Sequence, residues 1–208
     1  MKLTFTTFLT LDGVVQAPGG PEEDPGDGFA HGGWQAPFGD DETDRQIIEW
    51  FAGAEAFLLG RRTYDIFARY WPRVTEPDHP IAAPLNALPK YVVSNTLKNP
   101  EWHGTTVVAG SDADVASAVR TLKDRPGGEL QVHGSGALAR FLMGHGLIDE
   151  YRLLTYPVVL GEGRRLFTDG VPATSFAVAG SSTTSSGVTI TTLRPTGRPT
   201  YGSYDLDE

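Results

Sequence analysis

The chain has 208 residues, a formal net charge of −9 and no cysteine. Its length suits one domain over residues 1–208 with a sizeable core. The acidic balance argues against a general nucleic-acid binder, and the missing thiol excludes disulfides, cysteine nucleophiles and cysteine-ligated zinc.

Residues 2–10 alternate apolar and polar, the period of a half-buried strand, and lack a signal peptide's apolar run and cleavage site. No segment approaches the ~20 apolar residues needed to cross a bilayer, so the expected location is the cytoplasm. Residues 16–41 are dense in glycine, proline and acids, too long for an ordinary connection, and read as a functional loop or lid. Asp40 or Asp41 caps a helix to about Ala52, with Ile47, Ile48 and Phe51 inward. Residues 56–59 form a short buried strand and 62–68 the helix after it. Residues 70–89 are irregular, with one helical turn near 81–86. Strands are expected at 91–94 and 105–109. Asp112 then caps a helix with Val115, Ala118, Val119 and Leu122 inward, and Pro126, Gly127 and Gly128 break it. A strand at 129–133, a helix at 136–143 and a strand at 149–156 follow. Beyond a turn around 161–163, two more strands lie near 175–178 and 188–193, and 195–208 form a polar tail. Strands alternating with helices, then a strand-rich end, imply an α/β fold: a mixed sheet with helices on both faces.

Two segments about half the chain apart read as strand, small-residue turn and helix start. One spans 57–67 around Gly60, the other 130–142 around Gly134, Ser135 and Gly136. Unpaired N–H groups at such helix starts carry the positive end of the helix dipole and suit phosphate oxygens. Two of them can hold the two ends of one dinucleotide. Gly60 lets backbone approach a ligand closely, Thr63 offers a hydroxyl, and Arg61 or Arg62 a bidentate grip. A glycine turn with a surface arginine pair fits the same residues. The second turn departs from G-x-G-x-x-G, because Leu138 and Ala139 stand where the last glycine belongs. Its bare backbone still admits a pyrophosphate, and a purely structural turn is the alternative. His133 reads as a packed histidine, and the five histidines show no metal-ligand spacing, so no metal is assigned.

Asp12 either binds a ligand or caps the turn where the first strand ends. Trp34, behind Gly32 and Gly33, suits a lid over a planar ring, or equally an anchor of its loop to the core. Ser94, Asn95 and Thr96 follow a strand and present small donors to a sugar or phosphate, or form a polar turn.

Five segments in order carry a resemblance: Leu11-Asp12-Gly13; Leu59 to Tyr64; Tyr91 to Asn95; Val132 to Gly136; and Asp149-Glu150-Tyr151 through to the stretch from Tyr156 to Gly163. Over nearly the whole chain the sequence resembles the dihydrofolate reductase-like superfamily, above all stand-alone relatives of the reductase domain in bacterial riboflavin biosynthesis. The resemblance implies a three-layer fold around a mixed sheet of about eight strands, NADPH as hydride donor, and a homodimer. It puts Arg61, Arg62 and Thr63, behind Gly60, at the cofactor-phosphate helix start. It puts Ser94 and Asn95 near the adenosine 2′-phosphate, and Gly134, Ser135, Gly136 and Ala137, behind Val132, on the pyrophosphate turn. Asp44 is the best match for the carboxylate that anchors the ring in folate reductases; an ordinary acid in a helix's first turn is the other reading. The Cys/His zinc ligands of a partner deaminase are missing, so the substrate stays open. The reading is an NADPH-dependent reductase of a small planar heterocycle or conjugated carbonyl compound, with no nucleic-acid or membrane partner. The alternatives are a nucleotide-binding or interaction module that lost the reaction, or a riboflavin-pathway pyrimidine reductase.

Overall fold

The computed structural model describes residues 1–204, so the last four residues of the expected tail lie outside the described residues. Eight strands form one sheet: β1 (Lys2–Thr10), β2 (Ala54–Gly60), β3 (Lys90–Val93), β4 (Thr105–Val108), β5 (Glu129–His133), β6 (Glu150–Tyr156), β7 (Ser175–Thr183) and β8 (Thr189–Gly197). Their order is β4-β3-β2-β5-β1-β6-β8-β7. The first six are mutually parallel, and β8 runs antiparallel to both β6 and β7. The helices are α1 (Asp41–Phe51), α2 (Arg61–Tyr70), α3 (Ala82–Ala87), α4 (Asp112–Lys123) and α5 (Gly136–Gly144).

Side-chain alternation sorts the core into two layers. In β2, Ala56 and Leu58 face one side with Leu3 and Phe5 of β1, under α4 and α5. Phe57 and Leu59 face the other with α1, α2 and α3, through Ile47, Phe51, Tyr64 and Leu85. This is the expected three-layer α/β architecture, a mixed eight-stranded sheet with helices on both faces.

Local details differ from the sequence expectation. The inward stripe of α1 is Thr43, Ile47 and Phe51, a four-residue repeat that leaves Ile48 turned away and 38% exposed. Asp40 caps α1 by accepting the Thr43 N–H. Ser111, not Asp112, caps α4, in a reciprocal box with Asp114. Strands β7 and β8 run several residues past their expected ends, and β8 takes Pro195, Thr196 and Gly197 from the expected tail.

Two buried charged features brace the sheet away from its parallel carboxyl ends. Lys90 is fully buried; its Nζ donates to the carbonyls of Leu85 and Leu88 at 2.8 Å each and stands over the Trp102 ring at 4.7 Å. Burial pushes its ammonium down to about 8, while the carbonyls at the end of α3 and the indole favour the charged form. At the amino ends of β1, β5 and β6, Arg152 pairs with Glu129 and Glu150, and Lys2 and Arg194 also reach Glu150. Removing one member would strand a buried charge.

The strand order creates one switch point. β2 and β5 are neighbours, but the chain leaves β2 outward through α2 towards β3, and leaves β5 through α5 towards β6, on the far side of β1. The crevice at the carboxyl ends of strands whose connections diverge is where open α/β sheets bind ligands.

Candidate cofactor-binding site

Both glycine-hinged turns end in that crevice, and they touch. The Gly60 N–H donates to Ser135 Oγ at 3.0 Å, and the Ser135 N–H donates to Thr63 Oγ1 at 3.1 Å. These two hydrogen bonds join residues more than 70 positions apart and seat the starts of α2 and α5 side by side. Neither helix start is capped by a side chain, whereas α1 and α4 are. Their first-turn N–H groups are therefore left for another acceptor.

Gly134 (φ 57°) and Ser135 (φ 53°) are both left-handed, a conformation that folds the backbone back sharply after β5. A Cβ on Gly134 would meet only Thr63 Oγ1, at 3.8 Å, so its outer face is open. A Cβ on Gly136 would press on Val15 at 3.2 Å and lie 3.6 Å from Arg140 Nη1.

The other candidate residues gather around this pair. Val132 is fully buried beneath the turn, and Ala137 is exposed on the first turn of α5. Arg61 donates from Nε to both carboxylate oxygens of Asp65, at 2.8 and 2.9 Å, and from Nη1 to Thr96 Oγ1 at 3.3 Å. Arg62 is exposed and, among the described residues, makes no ion pair. Ser94 and Asn95 end β3 beside Arg61, but their side chains shape the turn. Ser94 Oγ accepts the N–H groups of Thr96 and Leu97, and the Asn95 amide exchanges two hydrogen bonds with Gly110 backbone. Thr96 is the hydroxyl that reaches Arg61. The sequence reading missed Arg140, whose signal was available: it lies four residues after Gly136, on the same helix face. Arg140 donates to the Arg165 carbonyl at 2.9 Å and, with Arg164 and Arg165, lines a cavity of about 260 Å³.

The expected substrate residues are spread over the next strand ends. Asp12 accepts from Thr10 Oγ1 at 2.6 Å, from the Gly161 and Leu160 N–H groups at 2.9 and 3.2 Å, and pairs with Arg165 at 3.0 Å. The Thr10 hydrogen bond foremost, against the pull of burial, holds its carboxyl well below the usual range. Asp12 thus ties the end of β1 to the 160–165 turn. The same turn grips the long loop, where Arg164 pairs with Asp24 and Asp27 and its N–H donates to Gln16. Trp34 is buried, donates from Nε1 to the Gln16 carbonyl at 2.7 Å and meets Tyr156 edge-on. In this structure it anchors the loop. Asp44 is exposed in the first turn of α1. His133 stacks on Phe51, and its Nε2–H donates to Gln131 Oε1 at 2.9 Å. Burial, then Arg152, pushes it down to about 3, so it is a neutral packed imidazole.

The sequence model of the RibD C-terminal domain matches residues 1–190. The chain belongs to the RibD C-terminal domain family. A relative, the uncharacterized protein YyaP of Bacillus subtilis, is 27% identical over 193 residues, 90% of this chain and 91% of that protein. Among solved structures, a putative riboflavin biosynthesis protein from Shewanella is similar with a TM-score of 0.70, 20% identity, and coverage of 94% of this chain and 99% of that one. A pyrimidine reductase-like protein from Corynebacterium diphtheriae gives 0.61 at 13% identity, covering 93% and 91%. RibD of Acinetobacter baumannii gives 0.61 at 13% identity, over 94% of this chain and 58% of that one. At these identities the structures establish a shared RibD-like fold. Among the described residues no helix is long and apolar enough to cross a membrane.

Proposed function

We propose that this RibD C-terminal family member is an NADPH-dependent reductase that delivers a hydride to a small planar heterocycle or a conjugated carbonyl compound. The observation that carries the reading is the pair of uncapped helix starts locked together at the switch point. The open face of Gly134 fits a pyrophosphate against bare backbone. Arg62, with Arg61 and Thr96 beside it, fits the additional phosphate that distinguishes NADPH from NADH. When bound, the cofactor supplies the hydride; the chain's part is to hold the nicotinamide and the acceptor ring together and exclude water. Asp44, or a water it holds, supplies the balancing proton.

NADPH is expected to bind at least about tenfold more tightly than NADH, because one charge-assisted contact contributes roughly 1.5–3 kcal/mol. Tryptophan fluorescence titration with both cofactors measures this, and equal affinities would count against the assignment. Arg61→Ala and Arg62→Ala, tested separately, identify which guanidinium meets the phosphate. Binding with no NADPH oxidation across pterins, pyrimidines and enones would favour a non-catalytic nucleotide-binding module.

A riboflavin-pathway pyrimidine reductase is the second reading, favoured by the names carried by the Shewanella and Corynebacterium relatives. Turnover confined to pyrimidines in that screen would select it.

We also propose a homodimer. β7 is an outer strand whose residues, Ser175–Thr183, include no charge and no proline, and Val178 is 65% exposed. Such an edge lacks charge and proline as guards against pairing, and a second copy would cover it. Light scattering at micromolar concentration should give about twice the chain mass of 22.4 kDa; a monomer there removes this proposal alone.

A further inference from the structure

Tyr156, the last residue of β6, is only 1% exposed, and its hydroxyl meets no partner in hydrogen-bond geometry. It sits in register with Thr10 at the carboxyl end of β1. Three rings meet it edge-on: Trp34 at 5.4 Å, Phe8 at 5.8 Å and Phe38 at 6.0 Å. Gln35, Asp40 and Asp44 are the polar side chains around the hydroxyl. Asp40 is already committed to Ser186, Thr184 and the Thr43 N–H. Asp44 is exposed. Burial first pushes the phenol upward, against the pull of the nearby Gln35 amide, and the two carboxylates add to the rise, so it stays protonated and acts as a donor.

A buried donor without an acceptor is destabilising, and phenylalanine would fill the same aromatic box with no such cost. Packing therefore explains the ring of Tyr156 and leaves its hydroxyl without a structural role. Of the three rings that meet it, Phe38 belongs to the single 3-10 turn Ala36–Phe38, in which Ala36 and Pro37 are exposed.

We propose that Tyr156 is a specificity-determining residue of the reductase, its hydroxyl donating to a carbonyl oxygen of the planar substrate when the 36–38 turn shifts aside. The proposal rests on the reductase reading and names the substrate feature that this site selects, a carbonyl oxygen on the ring edge. A site built around a buried donor discriminates strongly against analogues that lack the matching acceptor, because binding them leaves the donor unpaired.

The test compares wild type with Tyr156→Phe, both saturated with NADPH, by calorimetric titration with 5,6-diaminouracil and with its oxygen-free counterpart 4,5-diaminopyrimidine. Wild type should prefer the uracil. Tyr156→Phe should bind it at least about tenfold more weakly and lose the preference, while the ligand-free variant melts at the same temperature or higher. A purely structural tyrosine would lower the melting temperature and leave the preference intact, which overturns the proposal. So does an unchanged affinity in the variant, or no binding of the uracil to wild type. A wild-type protein that also fails to bind NADPH removes the reductase reading itself, so the two failures are told apart.

Discussion

Gly134→Val should abolish measurable NADPH binding while leaving the circular dichroism spectrum near native. The residue is left-handed at φ 57° and its outer face is open, so a branched side chain has room to exist but occupies the surface offered to the pyrophosphate. Forcing a β-branched residue into that conformation costs roughly 1–3 kcal/mol, within the stability of an ordinary domain. The loss of affinity should exceed about tenfold, since each 1.4 kcal/mol of lost contact is one decade. Gly170→Val is the control for strain alone: that glycine has φ 88° and nothing within 4 Å of an added Cβ. If Gly134→Val melts like Gly170→Val and still binds NADPH, the turn is structural and the cofactor lies elsewhere.

Trp34→Ala should lower the melting temperature by roughly 10 °C and weaken cofactor and substrate binding together. The indole is buried against Tyr156 and donates to the Gln16 carbonyl. Truncating a buried tryptophan costs about 3–5 kcal/mol, and each kcal/mol shifts the midpoint by roughly 2–4 °C in a chain of this size. Thermal melting and turnover on the same variant decide the point. A drop in kcat or a rise in KM with NADPH affinity and melting unchanged would restore the lid reading.

The elements that rest on local periodicity and local turn chemistry are legible in the chain itself. The alternation in residues 2–10 and the apolar runs ending at Gly60 and His133 are strand signals with glycine turns behind them, and the structure has β1, β2, β5, α2 and α5 there. Five ordered motifs were enough for the fold and family. The sequence expectation cuts β7 and β8 short because the small and polar residues of the outer strand β7 and of the exposed far end of β8 leave little apolar period to read.

Contacts between segments distant in the chain were decided only by the tertiary structure. Nothing near Gly60 indicates that Ser135 will accept its N–H, or that Thr63 will accept from Ser135. The two turns become one candidate site because β2 and β5 pair in the sheet. Asp12 reads from the sequence as a ligand contact or a local turn cap, and the partners that tie it to the 160–165 turn come only from the fold. Trp34 was balanced between lid and anchor until Gln16 and Tyr156 closed around it. Lys90 is buried because the carbonyls ending α3 and the Trp102 ring converge on it. A side chain's chemistry belongs to its residue type, but its partners are set by which strands lie adjacent, and strand order is a property of the whole chain.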